Sequence, residues 1–130
     1  MKILVGYDGS NAAKEAVNVA VKHAKGFDSE IQLVTSKKGG KETEEGEIIE
    51  ATKGLKDIEQ FLKTEGVKAE THLLVRGMSP GEDLVSFAKE QKIDEIVVGV
   101  KRRSKVGKVL FGSNAQFVVL NAPCAVVTVK

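Results

Sequence analysis

Tryptophan is absent from this chain and tyrosine occurs once, so there is little aromatic surface on which nucleic-acid bases could stack. Cysteine also occurs once, at Cys124, so no internal disulfide is available and nothing points to an oxidising compartment. Cys124 lies in the apolar run Ala-Pro-Cys-Ala-Val-Val and is expected to pack as a small hydrophobe. No apolar run approaches the roughly 18–20 residues that a membrane span needs. The opening Met1-Lys2-Ile3-Leu4-Val5-Gly6 is too short an apolar stretch for a secretory signal, which leaves a cytoplasmic location as the expectation. Charge of one sign is scarce too. Twenty Lys and Arg against 18 Asp and Glu leave a net charge of +2, too mild for the concentrated basic face that nucleic acid demands. His23 and His72 have no partner at metal-ligand spacing.

What is present suits one globular domain of 130 residues, 42% of them apolar. A chain of this size buries roughly two-thirds of its unfolded surface and needs no staple. Residues 2–7 read as a strand, and its continuous Ile3-Leu4-Val5 suggests cover on both faces, as in a parallel sheet. Ser10 or Asn11 is positioned to cap a helix with Ala13, Ala16, Val17, Ala20, Val21 and Ala24 at helical spacing, stopped by Gly26. A second strand covers 30–36, followed by a flexible polar connection over 37–47 whose order is left open. A helix over about 43–65 carries the stripe Ile48, Ala51, Leu55, Ile58 and Leu62, with Gly66 just past its end. Residues 68–75 form a third strand. Ser79-Pro80-Gly81-Glu82 combines a capping box with proline at the first helical position, ahead of a helix carrying Leu84, Val85, Phe87 and Ala88. A fourth strand covers 93–99, a loop 100–111, a last helix runs from Gly112 through Leu120, and a fifth strand covers 125–129. The order βαβαβαβαβ predicts an α/β fold: a single-domain, doubly wound, open parallel sheet of five strands.

In such sheets ligands bind beyond the carboxyl ends of the strands, where strand order reverses. Three loops arrive there: Tyr7-Asp8-Gly9-Ser10, Thr35-Ser36, and the stretch from Gly99 to Ser113. The third holds the basic run Lys101-Arg102-Arg103 with Lys105 and Lys108 close behind, and ends in Gly112, Ser113 and Asn114 at a helix start. Free N–H groups and the helix dipole there favour an anion, so the loop reads as a phosphate cradle. Two better-known phosphate motifs fail. A P-loop around Gly107-Lys108 would need Gly at 102 and Ser or Thr at 109, where the chain has Arg102 and Val109. A dinucleotide fingerprint would need three close glycines after the first strand, and only Gly6 and Gly9 stand there.

These residues resemble the universal stress protein family over nearly the whole chain. The opening Ile-Leu-Val-Gly-Tyr-Asp-Gly-Ser, the segment Asp94 to Gly99, Phe111-Gly112-Ser113 and the ending Ala122-Pro123-Cys124-Ala125-Val126 carry the resemblance. The family's nucleotide-binding branch has Gly, two residues, Gly, nine residues, then Gly-Ser or Gly-Thr. Gly99, Gly112 and Ser113 match that spacing, and Arg102 replaces the second glycine. An arginine there either obstructs the loop or contacts the phosphates through its guanidinium; Lys101, Arg103 and Lys105 favour contact.

The resemblance implies a fold of the adenine nucleotide alpha hydrolase-like, Rossmann-like kind and a site for ATP or a related adenine nucleotide. Asp8, flanked by Tyr7 and Gly9, would hold the ribose or support the adenine site. Thr35 and Ser36 would lie near the adenine through backbone atoms. Val98 and Gly99 with Lys101 and Arg102 would follow the phosphate path, and Gly112, Ser113 and Asn114 would bind phosphate. Several of these have a plain structural use as well: Asp8 and Ser113 as caps, Thr35 and Ser36 as a strand end. The resemblance also implies a homodimer through the last strand, Ala125 to Val129, whose Val126, Val127 and Val129 suit edge pairing. No nucleophile stands beside a base, so the expected role is a stress-response sensor or adaptor rather than a dedicated catalyst. Slow ATP hydrolysis, with Mg²⁺ brought by the nucleotide, and a nucleotide-free dimeric adaptor with Arg102 closing the site are the alternatives.

Overall fold

The computed structural model describes residues 1–100 and 112–130. Five strands and four helices alternate along them: β1 Lys2–Gly6, α1 Asn11–Phe27, β2 Glu30–Lys37, α2 Glu45–Thr64, β3 Ala69–Val75, α3 Pro80–Glu90, β4 Glu95–Gly99, α4 Ser113–Asn121 and β5 Ala125–Val129. The sheet runs in the order β3-β2-β1-β4-β5. All four pairings are parallel, with Val5 of β1 opposite Leu33 on one side and Val97 on the other. The expected doubly wound α/β architecture is therefore the observed one.

The continuous apolar runs have the cause anticipated for them. Ile3, Leu4 and Val5 are all fully buried because both faces of the central strand are covered. Successive side chains alternate between two cores. Ile3, Val5, Ile31, Leu33 and Val97 meet α1 and α2 on one face. Leu4, Val34, Ile96 and Val98 meet α3 and α4 on the other. Half-buried Cys124 packs against this second core, and burial, aided by the nearby charges of Asp94 and Glu95, pushes its thiol pKa up.

Local chemistry settles the element ends, and several differ from expectation. Ser10 is the cap of α1, its Oγ accepting the Ala13 N–H at 3.1 Å. Gly26 does not stop that helix; it continues to Phe27, and Asp28 takes the left-handed turn at φ 51°. Aspartate tolerates that conformation, and its N–H bonds the Ala24 carbonyl. At Ser79 the capping box does not form. The Ser79 hydroxyl donates to Glu82 Oε1 at 2.8 Å, a charged acceptor within reach, and only the proline at the first helical position is as anticipated. A capping box appears instead at α2, where Glu47 Oε2 accepts the Glu44 N–H at 2.7 Å.

The connection after β2 is tied down. Gly39 and Gly40 take positive φ, a single 3-10 turn spans Gly40–Glu42, and the Lys38 carbonyl accepts from Gly77 N–H at 2.9 Å. Thr43 Oγ1 accepts the Gly39 N–H at 2.9 Å. Of the α2 stripe, Leu55 and Leu62 are buried, whereas Ile48, Ala51 and Ile58 are half-buried, because α2 lies over the β2–β3 margin of the sheet. The cap of α4 is Gly112, with Ser113 as first helical residue rather than cap. No helix among the described residues is long and apolar enough to cross a membrane.

Candidate functional site

From β1 the chain leads through α1 to β2 on one side, while β4 lies on the other, so the strand order reverses beside β1. The carboxyl ends of these strands therefore diverge and leave room between the loops that follow them. A cleft of about 300 Å³ opens there. That is the lower end of the range for small-molecule sites, roughly 300–1,000 Å³.

The first loop builds one wall. Gly9 takes φ +82°, a turn that favours glycine, and Asp8 Oδ1 accepts the Ser10 N–H at 2.9 Å. Asp8 is thereby held at the mouth of the cleft while it shapes the start of α1. Tyr7 is buried; its N–H donates to the Val34 carbonyl at 2.8 Å, and its ring lies over Gly54 of α2. Burial, reinforced by the charges of Asp8 and Asp57, raises the Tyr7 pKa above its usual value.

The second wall is the end of β2. Thr35 Oγ1 donates to the Tyr7 carbonyl at 2.7 Å, buried, so this side chain staples β1 to β2. Ser36 points to the opposite face and borders the cleft with Val34, Leu84 and Val118. Its hydroxyl donates to Asp83 Oδ2 at 2.7 Å. Asp83 is fully buried and also binds Arg76, with Nε and Nη2 both 2.6 Å from Oδ1. Hydrogen bonding to Glu90, then to Asp83, holds the Arg76 guanidinium pKa above its usual value. Lys37, Lys38, Thr43 and Glu47 close the outer side.

The third wall comes from β4 and α4. Val98 and Gly99 reach the cleft from β4 and Asn114 from the first turn of α4. A Cβ on Gly99 would lie 2.5 Å from the Ala12 carbonyl carbon and 2.7 Å from the Ala13 nitrogen, so the packing of α1 on β4 requires glycine there. Asn114 Oδ1 accepts the Gly81 N–H at 2.9 Å and joins the starts of α3 and α4.

Six of the candidate residues, Tyr7, Asp8, Ser36, Val98, Gly99 and Asn114, thus meet around one cleft. Gly9 and Thr35 line a smaller hollow of about 170 Å³ that shares Tyr7 and Asp8 with it. Gly112 and Ser113 form the exposed entry to α4 beside Asn114. Lys101 and Arg102, with Arg103 and Lys105, lie outside the described residues. Sequence reasoning missed Leu84, Lys37, Lys38 and the Asp83–Arg76 pair. One signal for Asp83 was available: an acid four residues before Phe87, on the apolar stripe of its helix.

Apolar walls on the α3–α4 side and a polar rim suit a flat, partly apolar ligand with a polar edge. The model of the universal stress protein family matches residues 1–130. The chain belongs to this family. A family member from Methanocaldococcus jannaschii is 34% identical over 140 residues, covering 99% of this chain and 81% of that protein. The solved universal stress protein from Archaeoglobus fulgidus superposes with a TM-score of 0.92 at 37% identity, covering 100% of this chain and 98% of the other. A structure of the universal stress protein from Archaeoglobus fulgidus in complex with dAMP gives a TM-score of 0.86 at 34% identity, covering 100% and 98%.

Proposed function

We propose that this universal stress protein binds an adenine nucleotide in the cleft beside β1, and that ATP, carrying Mg²⁺ on its phosphates, is the ligand it uses as a cytoplasmic stress-response sensor or adaptor. The observation that carries this reading is the cleft at the strand-order reversal, where apolar Val34, Leu84 and Val118 face the polar Asp8, Ser36 and Asn114. The relative solved with dAMP, 34% identical over the full chain, supports an adenine nucleotide as the class. The basic run Lys101-Arg102-Arg103 supports a triphosphate over a monophosphate.

The protein acts in this reading as a homodimer through β5, which among the described residues pairs with β4 on one side only. The Val129 carbonyl accepts from Val100 N–H on the β4 side, so by the alternation of a strand Val126 and Thr128 turn their backbone N–H and C=O outward.

Calorimetric titration of nucleotide-stripped protein with ATP and Mg²⁺, beside Arg102→Glu, tests the reading. Micromolar binding weakened by the charge reversal is expected. No binding at millimolar ATP overturns it and leaves a dimeric adaptor without nucleotide.

A further inference from the structure

The Ser36 hydroxyl has a fixed polarity. Its partner Asp83 is fully buried and ion-paired through Oδ1 with the Arg76 guanidinium, Nε and Nη2 both at 2.6 Å. Glu90 holds the far side of that guanidinium, accepting from Nη1 at 2.9 and 3.1 Å. A carboxylate only accepts, so the hydrogen of Ser36 is committed to Asp83 Oδ2, 2.7 Å away. The oxygen keeps its lone pairs, and Ser36 lines the cleft beside the apolar Val34 and Leu84, the part that suits the face of a purine. Toward a ligand Ser36 can therefore accept a hydrogen bond and cannot donate one.

We infer that Ser36 selects a purine edge bearing an N–H donor, the exocyclic amine of adenine, against an edge bearing a carbonyl, and that Asp83 is the positioning residue that sets this preference. The inference rests on the nucleotide reading above and adds the reason for a base preference. A carbonyl presented to Ser36 would set two acceptors against each other in a half-buried site, leaving both unpaired. Sites built for one hydrogen-bonding group reject the analogue lacking it strongly.

The test is calorimetric binding of AMP and IMP, which differ in an exocyclic amine against a carbonyl. Wild-type protein is expected to bind AMP about tenfold or more tighter than IMP. Ser36→Ala should bring that ratio toward one, mainly by weakening AMP. In Asp83→Asn the amide oxygen stays on Arg76 and the amide nitrogen donates to Ser36. The serine hydrogen is then released toward the cleft, so IMP should gain on AMP and the ratio should fall below that of Ser36→Ala. A packing role alone would weaken both nucleotides together. Equal wild-type affinities, or a ratio unmoved in Ser36→Ala with a native circular dichroism spectrum, overturn the inference and leave nucleotide binding standing. If Asp83→Asn does not fold, the Ser36→Ala ratio decides. No binding of either nucleotide to wild-type protein overturns the inference, and the ATP titration then decides the nucleotide reading by itself.

Discussion

Gly99 was expected on the phosphate path, yet its geometry also gives it a packing duty that can be measured without any ligand. A Cβ at this position would run into the Ala12–Ala13 peptide of α1: Ala12 carbon at 2.5 Å, Ala12 oxygen at 2.6 Å and Ala13 nitrogen at 2.7 Å. Non-bonded carbon atoms settle at roughly 3.5–4.0 Å, so Gly99→Ala must open the contact by about 1 Å. Neither partner yields easily. The strand β4 is paired on both edges, and the first turn of α1 is capped by Ser10 and anchored by buried Ala13, Ala16 and Val17. Overpacking of this kind costs about 1–3 kcal/mol, and rigid backbone on both sides argues for the upper half, ~2–3 kcal/mol. With an unfolding entropy of roughly 2.1 cal/mol/K per residue, a chain of this length loses about 7–11 °C in Tm. Gly9→Ala is the companion variant. Among the described residues it meets nothing within 4 Å, but its φ of +82° costs an alanine about 1 kcal/mol in conformation alone. Thermal denaturation of the nucleotide-free variants, followed by circular dichroism, should rank them wild type, Gly9→Ala, Gly99→Ala. A Gly99→Ala protein that melts with the parent refutes the packing account and returns Gly99 to a ligand role only.

The single tyrosine in a chain without tryptophan makes phenolate absorbance a clean report on Tyr7. Burial first, then Asp8 and Asp57, raises its pKa above the usual 10.0, so the signal should appear above that pH and move back toward it in Asp8→Asn. By linkage the raised value gives stability that is whole below the unfolded pKa of about 10 and is lost as pH rises through the folded one. Titration at or below the usual value contradicts the burial argument. Thr128→Pro removes an outward N–H of β5 and spares its bonds to β4, so it should convert the proposed dimer to a folded monomer in light scattering. A Thr128→Pro protein that remains dimeric places the interface elsewhere.

Element order and type were legible before any coordinates because they rest on local periodicity. Continuous Ile3-Leu4-Val5 and Ile96-Val97-Val98 mark doubly covered strands, and the spacing of Ala13, Ala16, Val17 and Ala20 marks a helix lying against them. The resemblance at both ends of the chain led to the same family as the match over residues 1–130. The alternation of strands and helices also brought Asp8, Ser36, Gly99 and Asn114 to the carboxyl end of the sheet, whereas the strand order that opens the cleft is a property of the folded sheet.

Other properties belong to groups far apart in the chain, and only tertiary structure decided them. Thr35 and Ser36 are neighbours in sequence, but the strand's alternation turns one onto the Tyr7 carbonyl and the other onto the cleft. The polarity of Ser36 depends on Asp83, 47 residues later, and on the arginine paired with that acid. Gly99 is required by the first turn of α1, which β4 meets only after the chain has wound around the sheet. Sequence determines which segments are apolar and at what period. Which hydroxyl donates, and where a Cβ has no room, is decided by the surfaces that folding brings together.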